Sequence, residues 1–216
     1  MPSLVWLEDN DNEFPPVETS LTEPDGLLAA GGLLTTDILL KAYRSGIFPW
    51  YSQGQPVLWW SPDPRCVLFP EKLRISRSLK KTLNKHLFTI KQNSAFRDVM
   101  LHCAAPRKDD VGTWITHEML EAYCRMNKLG YAHSIECWQD NELVGGLYGM
   151  MLGEVFFGES MFSIKPDTSK IALEYLCNTI KPKLIDVQVY SEHMERMGAE
   201  MIPRTQFIEY LNRYCG

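Results

Sequence analysis

Between Ala132 and Ser163 three strand-like segments follow one another almost without interruption: "AHSIECWQD", "ELVGGLYGMML" and "GEVFFGESMFS". The last two are joined by a tight turn at Gly153-Glu154. A capped amphipathic helix, "PDTSKIALEYLCNTIK", leads from this region into a further strand, "KLIDVQVY". Two short helices, Glu192 to Met197 and Thr205 to Asn212, close the chain. Strands interleaved with helices require a mixed sheet with helices packed on it, which is an α/β or α+β domain.

Upstream, an apolar strand is expected at Cys66 to Phe69, another near Leu87 to Gln92, and helices at Ser94 to Cys103 and from Glu118 to Leu129, the latter capped by Thr116. "APRKDDVGTW" reads as a loop. The first 60 or so residues are rich in Pro and Gly and read as a small, loop-rich subdomain. Its one expected helix is Ile38 to Ser45, capped by Thr36 or Asp37 and ended by Gly46. "SPDPR" is a stiff junction, because each proline fixes its own φ and restricts the residue before it.

With 216 residues, 45% hydrophobic and 23% charged, the chain has the composition of a globular protein. No apolar run reaches the roughly 18 to 20 residues of a membrane helix, and the start lacks the basic and apolar parts of a signal peptide, so no membrane partner and a cytoplasmic location are expected. The six cysteines are scattered, without metal or disulfide spacing, and read as buried reduced thiols. The net charge of −5 is unevenly spread. Residues 1–40 carry eight acids and no Lys or Arg, whereas residues 71–91 carry seven Lys or Arg against Glu71 alone. On a helix Arg77, Lys81 and Lys85 align, with Lys80 beside them, either as a solvated face or as a contact for an anionic partner.

Two further patterns bear on chemistry. "GIFPWYSQGQPVLWWSPDPR" gathers Trp50, Tyr51, Trp59 and Trp60 outside any repeating pattern, either to pack an irregular cap or to stack a flat ligand. In "LIDVQVY" the strand period puts Asp186 and Gln188 on one face. They belong either to an edge strand with one wet face or to a site in which Asp186 orients the Gln188 amide. Glu159 sits among Phe156, Phe157, Met161 and Phe162, pointing to solvent or lining a pocket. P-loop, nucleophile-elbow and H-E-x-x-H motifs are absent, and "GGLYG" alone is a weak signal.

Taken in order, "EPDGLLAAGGLL", "AYRSGIFPWY", "WWSPDPR", "TWIT", "LVGGLYG", "FFGESMFS", "SKIAL" and "LIDVQ" resemble the bacterial leucyl/phenylalanyl-tRNA-protein transferase family, from about Phe14 to Asn212. The resemblance implies an α+β protein: a small N-terminal domain, residues 1–62, and a GNAT-like acyltransferase domain with a mixed central sheet, residues 63–216. It implies transfer of Leu or Phe, less readily Met, from aminoacyl-tRNA to proteins beginning with Arg or Lys, marking them for N-degron proteolysis. By the same motif matching, Trp50 and Trp114 hold the 3′-terminal adenosine. Leu147, Phe156, Glu159 and Met161 line the aminoacyl and adenosine pocket, and Arg77, Lys80, Lys81 and Lys85 meet the tRNA backbone. Trp59 and Trp60 are assigned mainly to packing. Where family members can carry Phe on the "SKIAL" helix, this sequence has Leu176 and Ile180, which bears on the pocket's shape.

Asp186 and Gln188 are the catalytic candidates by this resemblance. An aminoacyl ester is already activated, so neither cofactor nor metal is expected. An α-amino group has a pKa of roughly 7.7 to 8.0, so a fraction is neutral at pH 7. Gln is a poor base, which favours a positioning role over a proton relay. The acceptor's cationic first residue needs an acidic subsite, with Glu159 and Asp186 as candidates. An acyl-coenzyme A-dependent N-acyltransferase is disfavoured by the missing phosphate-cradling loop. A non-catalytic tRNA-binding module leaves Asp186 and Gln188 unexplained.

Overall fold

The computed structural model describes residues 4–11, 13–105 and 115–216. Its first part is a four-stranded sheet with order β1-β2-β4-β3, formed by β1 (Val5–Leu7), β2 (Leu27–Gly31), β3 (Phe48–Pro49) and β4 (Leu58–Trp60). Helix α1 (Thr36–Arg44) lies between β2 and β3 in the chain. The expected loop-rich subdomain therefore contains a sheet. Its strands are two to five residues long, and β2 reads Leu-Leu-Ala-Ala-Gly, a sequence without the β-branched residues that mark strands. The α1 cap is Thr35, whose hydroxyl accepts from the Ile38 N–H, one position before the residues expected.

The second sheet begins at β5 (Arg65–Leu68) and continues through α2 (Arg77–Leu83), β6 (Thr89–Gln92), α3 (Phe96–Ala104) and α4 (His117–Lys128). Next come β7 (Ala132–Gln139), β8 (Glu142–Leu152), β9 (Val155–Ser163) and α5 (Thr168–Tyr175), which runs on as a π-helical turn over Leu176–Ile180. The chain finishes with β10 (Leu184–Gln188), α6 (Glu192–Arg196), β11 (Glu200–Ile202) and α7 (Arg204–Tyr214). The sheet order is β11-β5-β10-β9-β8-β7-β6, antiparallel throughout except for the β9/β10 pair. That one parallel pair follows from the α5 crossover, since parallel neighbours cannot be joined by a hairpin. The α+β class with a mixed central sheet is thus as expected, and Gly153-Glu154 makes the two-residue turn between Leu152 and Val155.

Two apolar layers sandwich this sheet. Phe156, Leu147 and Ile185 face α2, α5 and α6, together with Leu79, Leu173 and Met194. Tyr148, Phe157 and Leu184 face the other way, toward α1, α3, α4, α7 and the first sheet, with Tyr43, Met119 and Phe207. Adjacent residues such as Phe156 and Phe157 thus serve opposite layers, as the strand period demands. Trp59 belongs to the second layer: it is fully buried and its Nε1 donates to the Gly31 carbonyl at 2.9 Å.

The glycines of "GGLYG" are required by close approach. A Cβ on Gly145 would lie 2.0 Å from the Thr168 hydroxyl oxygen, because the first turn of α5 is seated directly on β8. Thr168 is buried and donates to the Val144 carbonyl at 3.0 Å. The α5 start differs from expectation in one respect. Asp167 occupies the cap position with φ 69°, yet its carboxylate turns to Lys170 and to Thr82 of α2, and it is the Ser163 hydroxyl that accepts from the Ser169 N–H of the first turn at 3.0 Å. Gly145→Ala should therefore lower stability by about 1–3 kcal/mol through overpacking at the α5 seat, read as a lower urea midpoint with unchanged slope.

Candidate active site

Strands β9 and β10 pair over only three positions, Leu184 with Val155, Ile185 with Phe156 and Asp186 with Phe157, and then part. A cavity of about 420 Å³ opens beside the parted strands. Leu147, Phe156, Leu173, Leu176, Ile185 and Met194 form its apolar walls. Glu159, Ser160 and Met161 of β9 also line it, and Met161 pairs with Leu147 across the β8/β9 ladder. Leu147, Phe156, Glu159 and Met161, which motif matching placed together, all line this one cavity. Ile180 is not among the cavity's lining residues, whereas Leu176 is. Another hollow of about 460 Å³, between Phe14, Arg44 and Ile208, contains none of the expected site residues.

Two local irregularities aim the polar side chains. Tyr148 pairs with Ser160 and Gly149 with Gly158, so Glu159 is the extra residue of a β-bulge. On β10, Asp186 pairs with Val67 and Gln188 with Cys66, leaving Val187 extra. Gln188 itself has φ 69°, and the Val189 N–H donates to the Val187 carbonyl at 2.9 Å, closing a γ-turn. A positive φ at a non-glycine residue is strained and persists only where surrounding contacts impose it.

Those contacts start at Asp186. Its Oδ1 accepts from the Gln188 backbone N–H at 2.9 Å and from Arg65 Nε at 2.8 Å, while Oδ2 accepts from Arg65 Nη2 at 2.8 Å. Arg65 and Asp186 are 1% and 0% exposed. The remaining Arg65 nitrogen donates to the Gly46 carbonyl at 3.1 Å, and the guanidinium sits 4.7 Å from the ring centres of both Phe48 and Phe207. This geometry corrects three expectations. β10 lies between β5 and β9, so it is not an edge strand. Asp186 fixes Gln188 through the backbone, whereas the Gln188 amide goes to Glu159 Oε1 at 2.9 Å. The Asp186 side chain is 0% exposed and paired with Arg65, so its carboxylate turns no surface toward an acceptor's cationic side chain.

Glu159 is the pivot of the polar end. Oε1 also accepts from the Tyr43 hydroxyl at 2.6 Å and Oε2 from Tyr123 at 3.2 Å, and the two phenols are hydrogen-bonded to each other. Burial pushes the Glu159 carboxyl up to about 7, and the neighbouring Asp186 charge adds to the rise; the donors from Tyr43, Tyr123 and Gln188 work against it. Local sequence reading missed Arg65, Tyr43 and Tyr123. A lone cation opening an apolar strand is a weak signal for Arg65, and Tyr123 falls on the apolar stripe of α4 beside Met119 and Met126, where it reads as packing.

Other expected residues are dispersed. Trp50 is 43% exposed, its ring 5.8 Å from that of Trp60, whose Nε1 donates to the Trp50 carbonyl at 2.7 Å. Trp114 lies outside the described residues. Arg77, Lys80 and Lys81 are exposed on α2, but the helix ends at Leu83 and Lys85 sits in the turn beyond it, so the expected three-step stripe is shorter. Among the described residues no group of three or more His, Cys, Asp or Glu is arranged to hold a metal ion. Removing the cation alone tests the buried pair. Arg65→Met should cost about 3–5 kcal/mol by stranding the Asp186 charge, and adding Asp186→Leu should recover part of that loss in urea unfolding.

Residues 67–212 match the leucyl/phenylalanyl-tRNA protein transferase family, and residues 32–63 match the leucyl/phenylalanyl-tRNA protein transferase N-terminal domain. The chain is 55% identical over 214 residues to leucyl/phenylalanyl-tRNA–protein transferase of Azoarcus sp. (strain BH72), covering 98% of this chain and 91% of that one. It is 50% identical over 217 residues to the protein of the same name from Methylococcus capsulatus, covering 99% and 92%. Among solved structures, a GCN5-related N-acetyltransferase from Kribbella flavida covers 75% of this chain and 58% of its own, with a TM-score of 0.39 and 8% identity. With matches that run nearly from end to end, the chain belongs to the leucyl/phenylalanyl-tRNA protein transferase family.

Proposed function

We propose that the protein is an aminoacyltransferase that moves Leu or Phe, and less readily Met, from aminoacyl-tRNA to the α-amino group of proteins beginning with Arg or Lys, marking them for N-degron proteolysis in the cytoplasm. The observation that carries this reading is the cavity beside the parted strands, apolar along its walls and bearing the Glu159 carboxylate at its polar end, with Asp186 also in its lining. An apolar wall of this kind suits a Leu or Phe side chain and penalises a charged one strongly, while a single methylene is worth only about 1–3 kcal/mol, so discrimination against Ile and Val rests on shape. The Glu159 carboxylate favours a cationic acceptor. Gln188, held by its backbone, keeps its amide beside Glu159, which supports a positioning role.

The same reading assigns Trp50 and Trp114 to the terminal adenosine and Arg77, Lys80, Lys81 and Lys85 to tRNA phosphates. Support comes from the exposure of Trp50 and of the four cations. It also divides the chain into a small domain, residues 1–62, and an aminoacyltransferase domain, residues 63–216, in keeping with the change of sheet between Trp60 and Arg65. No helix among the described residues is long and apolar enough to cross a membrane.

The deciding experiment offers the protein radiolabelled leucyl-tRNA, acetyl coenzyme A and an Arg-starting peptide together. Movement of the leucyl label to the peptide is expected; movement of acetyl alone, or of nothing, rejects the reading. Within it, Trp50→Ala should weaken binding of aminoacyl-tRNA and of puromycin-like fragments by about 1–3 kcal/mol without lowering the melting temperature. Trp59→Ala should instead destabilise the fold by about 3–5 kcal/mol, a contrast visible in paired binding and melting measurements.

A further inference from the structure

The Glu159 carboxylate is held by phenols from two separate helices, Tyr43 on α1 and Tyr123 on α4. Since the phenols also bond to each other, the three groups close a triangle of contacts that uses both Glu159 oxygens and the two phenol oxygens. Tyr43 and Tyr123 are fully buried, and burial raises both pKa values well above 10, so each keeps its proton near neutral pH. Proton counting then limits what the triangle can hold. With Glu159 ionised, two phenol protons serve three oxygen–oxygen contacts, and one contact has none. With Glu159 protonated, each group donates once and accepts once: Glu159 to Tyr123, Tyr123 to Tyr43, and Tyr43 back to the other Glu159 oxygen. The triangle is complete only with one proton more than the ionised state supplies, and its carboxyl lines the cavity.

We propose that Glu159 accepts the proton released by the acceptor amine, and that Tyr43 and Tyr123 are positioning residues that hold its carboxylate through this triangle. The proposal rests on the aminoacyl-transfer reading above. In the step it describes, the amine lone pair attacks the ester carbonyl carbon and a C–N bond forms. The nitrogen's surplus proton passes to Glu159. The ester C–O bond then breaks, and the ribose oxygen leaves with the bonding pair and takes that proton. The products are one amide and one ribose hydroxyl, and Glu159 is again a carboxylate.

The groups facing Glu159 set the direction of its pH response. From β10 come the Asp186 charge, itself paired with Arg65 of β5, and the Gln188 amide. From β8 comes Tyr148, buried, with no hydrogen-bond partner for its hydroxyl among the described residues and its ring edge-on to Tyr123. From the helices come the two phenols, Tyr43 and Tyr123. A donor to a carboxylate favours the charged form, so deleting one raises the pKa. Glu159 must be ionised to accept a proton. Transfer therefore rises with pH through its titration, and loss of a phenol moves this acid limb to higher pH.

The test is single-turnover transfer of leucine from leucyl-tRNA to an Arg-starting peptide, from about pH 5.5 to 9, for the wild type and for Tyr43→Phe, Tyr123→Phe and Glu159→Gln. Tyr43→Phe should shift the acid limb upward by about one pH unit. Tyr123→Phe should shift it in the same direction by less, because its contact is longer. Glu159→Gln should lose about a hundredfold in rate and lose that limb. The amine's own titration is common to all four proteins and cancels in the comparison. Superimposable profiles, a fall in rate that is uniform at every pH, or a Glu159→Gln enzyme as fast as wild type would each overturn the proposal. If Tyr43→Phe fails to fold, the other two variants decide it. A wild type that transfers no leucine at all sinks the aminoacyl-transfer reading, and this proposal with it.

Discussion

The buried pair of Arg65 and Asp186 is the constraint on which the rest of the site depends. Both charges are removed from water, and such pairs are poor sources of net stability because desolvation offsets their attraction. What this pair supplies is position. Arg65 ties together the turn at Gly46, the ring of Phe48 on β3, the ring of Phe207 on α7 and, through Asp186, the middle of β10. Segments far apart in sequence are thereby fixed around one guanidinium, whose planar fork satisfies a carboxylate in two directions at once.

A hierarchy follows from that placement. Asp186 uses the same oxygen to hold Arg65 and the Gln188 N–H, so the γ-turn at Gln188 is imposed from inside the fold. The turned Gln188 presents its amide to Glu159, which the β9 bulge has already pushed out of the ladder. Glu159 is then surrounded by donors and little water, and its proton affinity is set by that enclosure. Each level is costly alone: a buried ion pair, a strained φ, a carboxyl among aromatics. Their costs are tolerated together because each contact constrains the next.

How much of this was legible in the sequence depends on the distance over which each feature is encoded. The strands from Ala132 to Ser163 and the hairpin at Gly153 were readable because period-two alternation and turn chemistry are local signals. The first sheet was not, since strands as short as Phe48–Pro49 carry no period and β2 uses Leu and Ala. The cavity's apolar residues came from motifs matched to a family. Arg65, Tyr43 and Tyr123 act on partners 121, 116 and 36 positions away, and no local pattern announces such contacts. Likewise Asp186 and Gln188 were legible as an odd polar pair on an apolar strand, but their true partners, Arg65 and Glu159, belong to other strands.

The parting of β9 and β10 has a consequence beyond catalysis. A strand edge with unpaired amides and carbonyls ordinarily invites pairing with another chain, and exposed edges are a common origin of aggregation. Here the two strands part within a seven-stranded sheet beside a hollow of about 420 Å³, and on β10 the Gln188 and Val189 N–H groups are taken up by Asp186 Oδ1 and the Val187 carbonyl. A hollow of that size admits a side chain or a short peptide end and excludes the flat flank of a foreign sheet. The protein thus opens a cavity inside its sheet without leaving those β10 donors to pair with another chain.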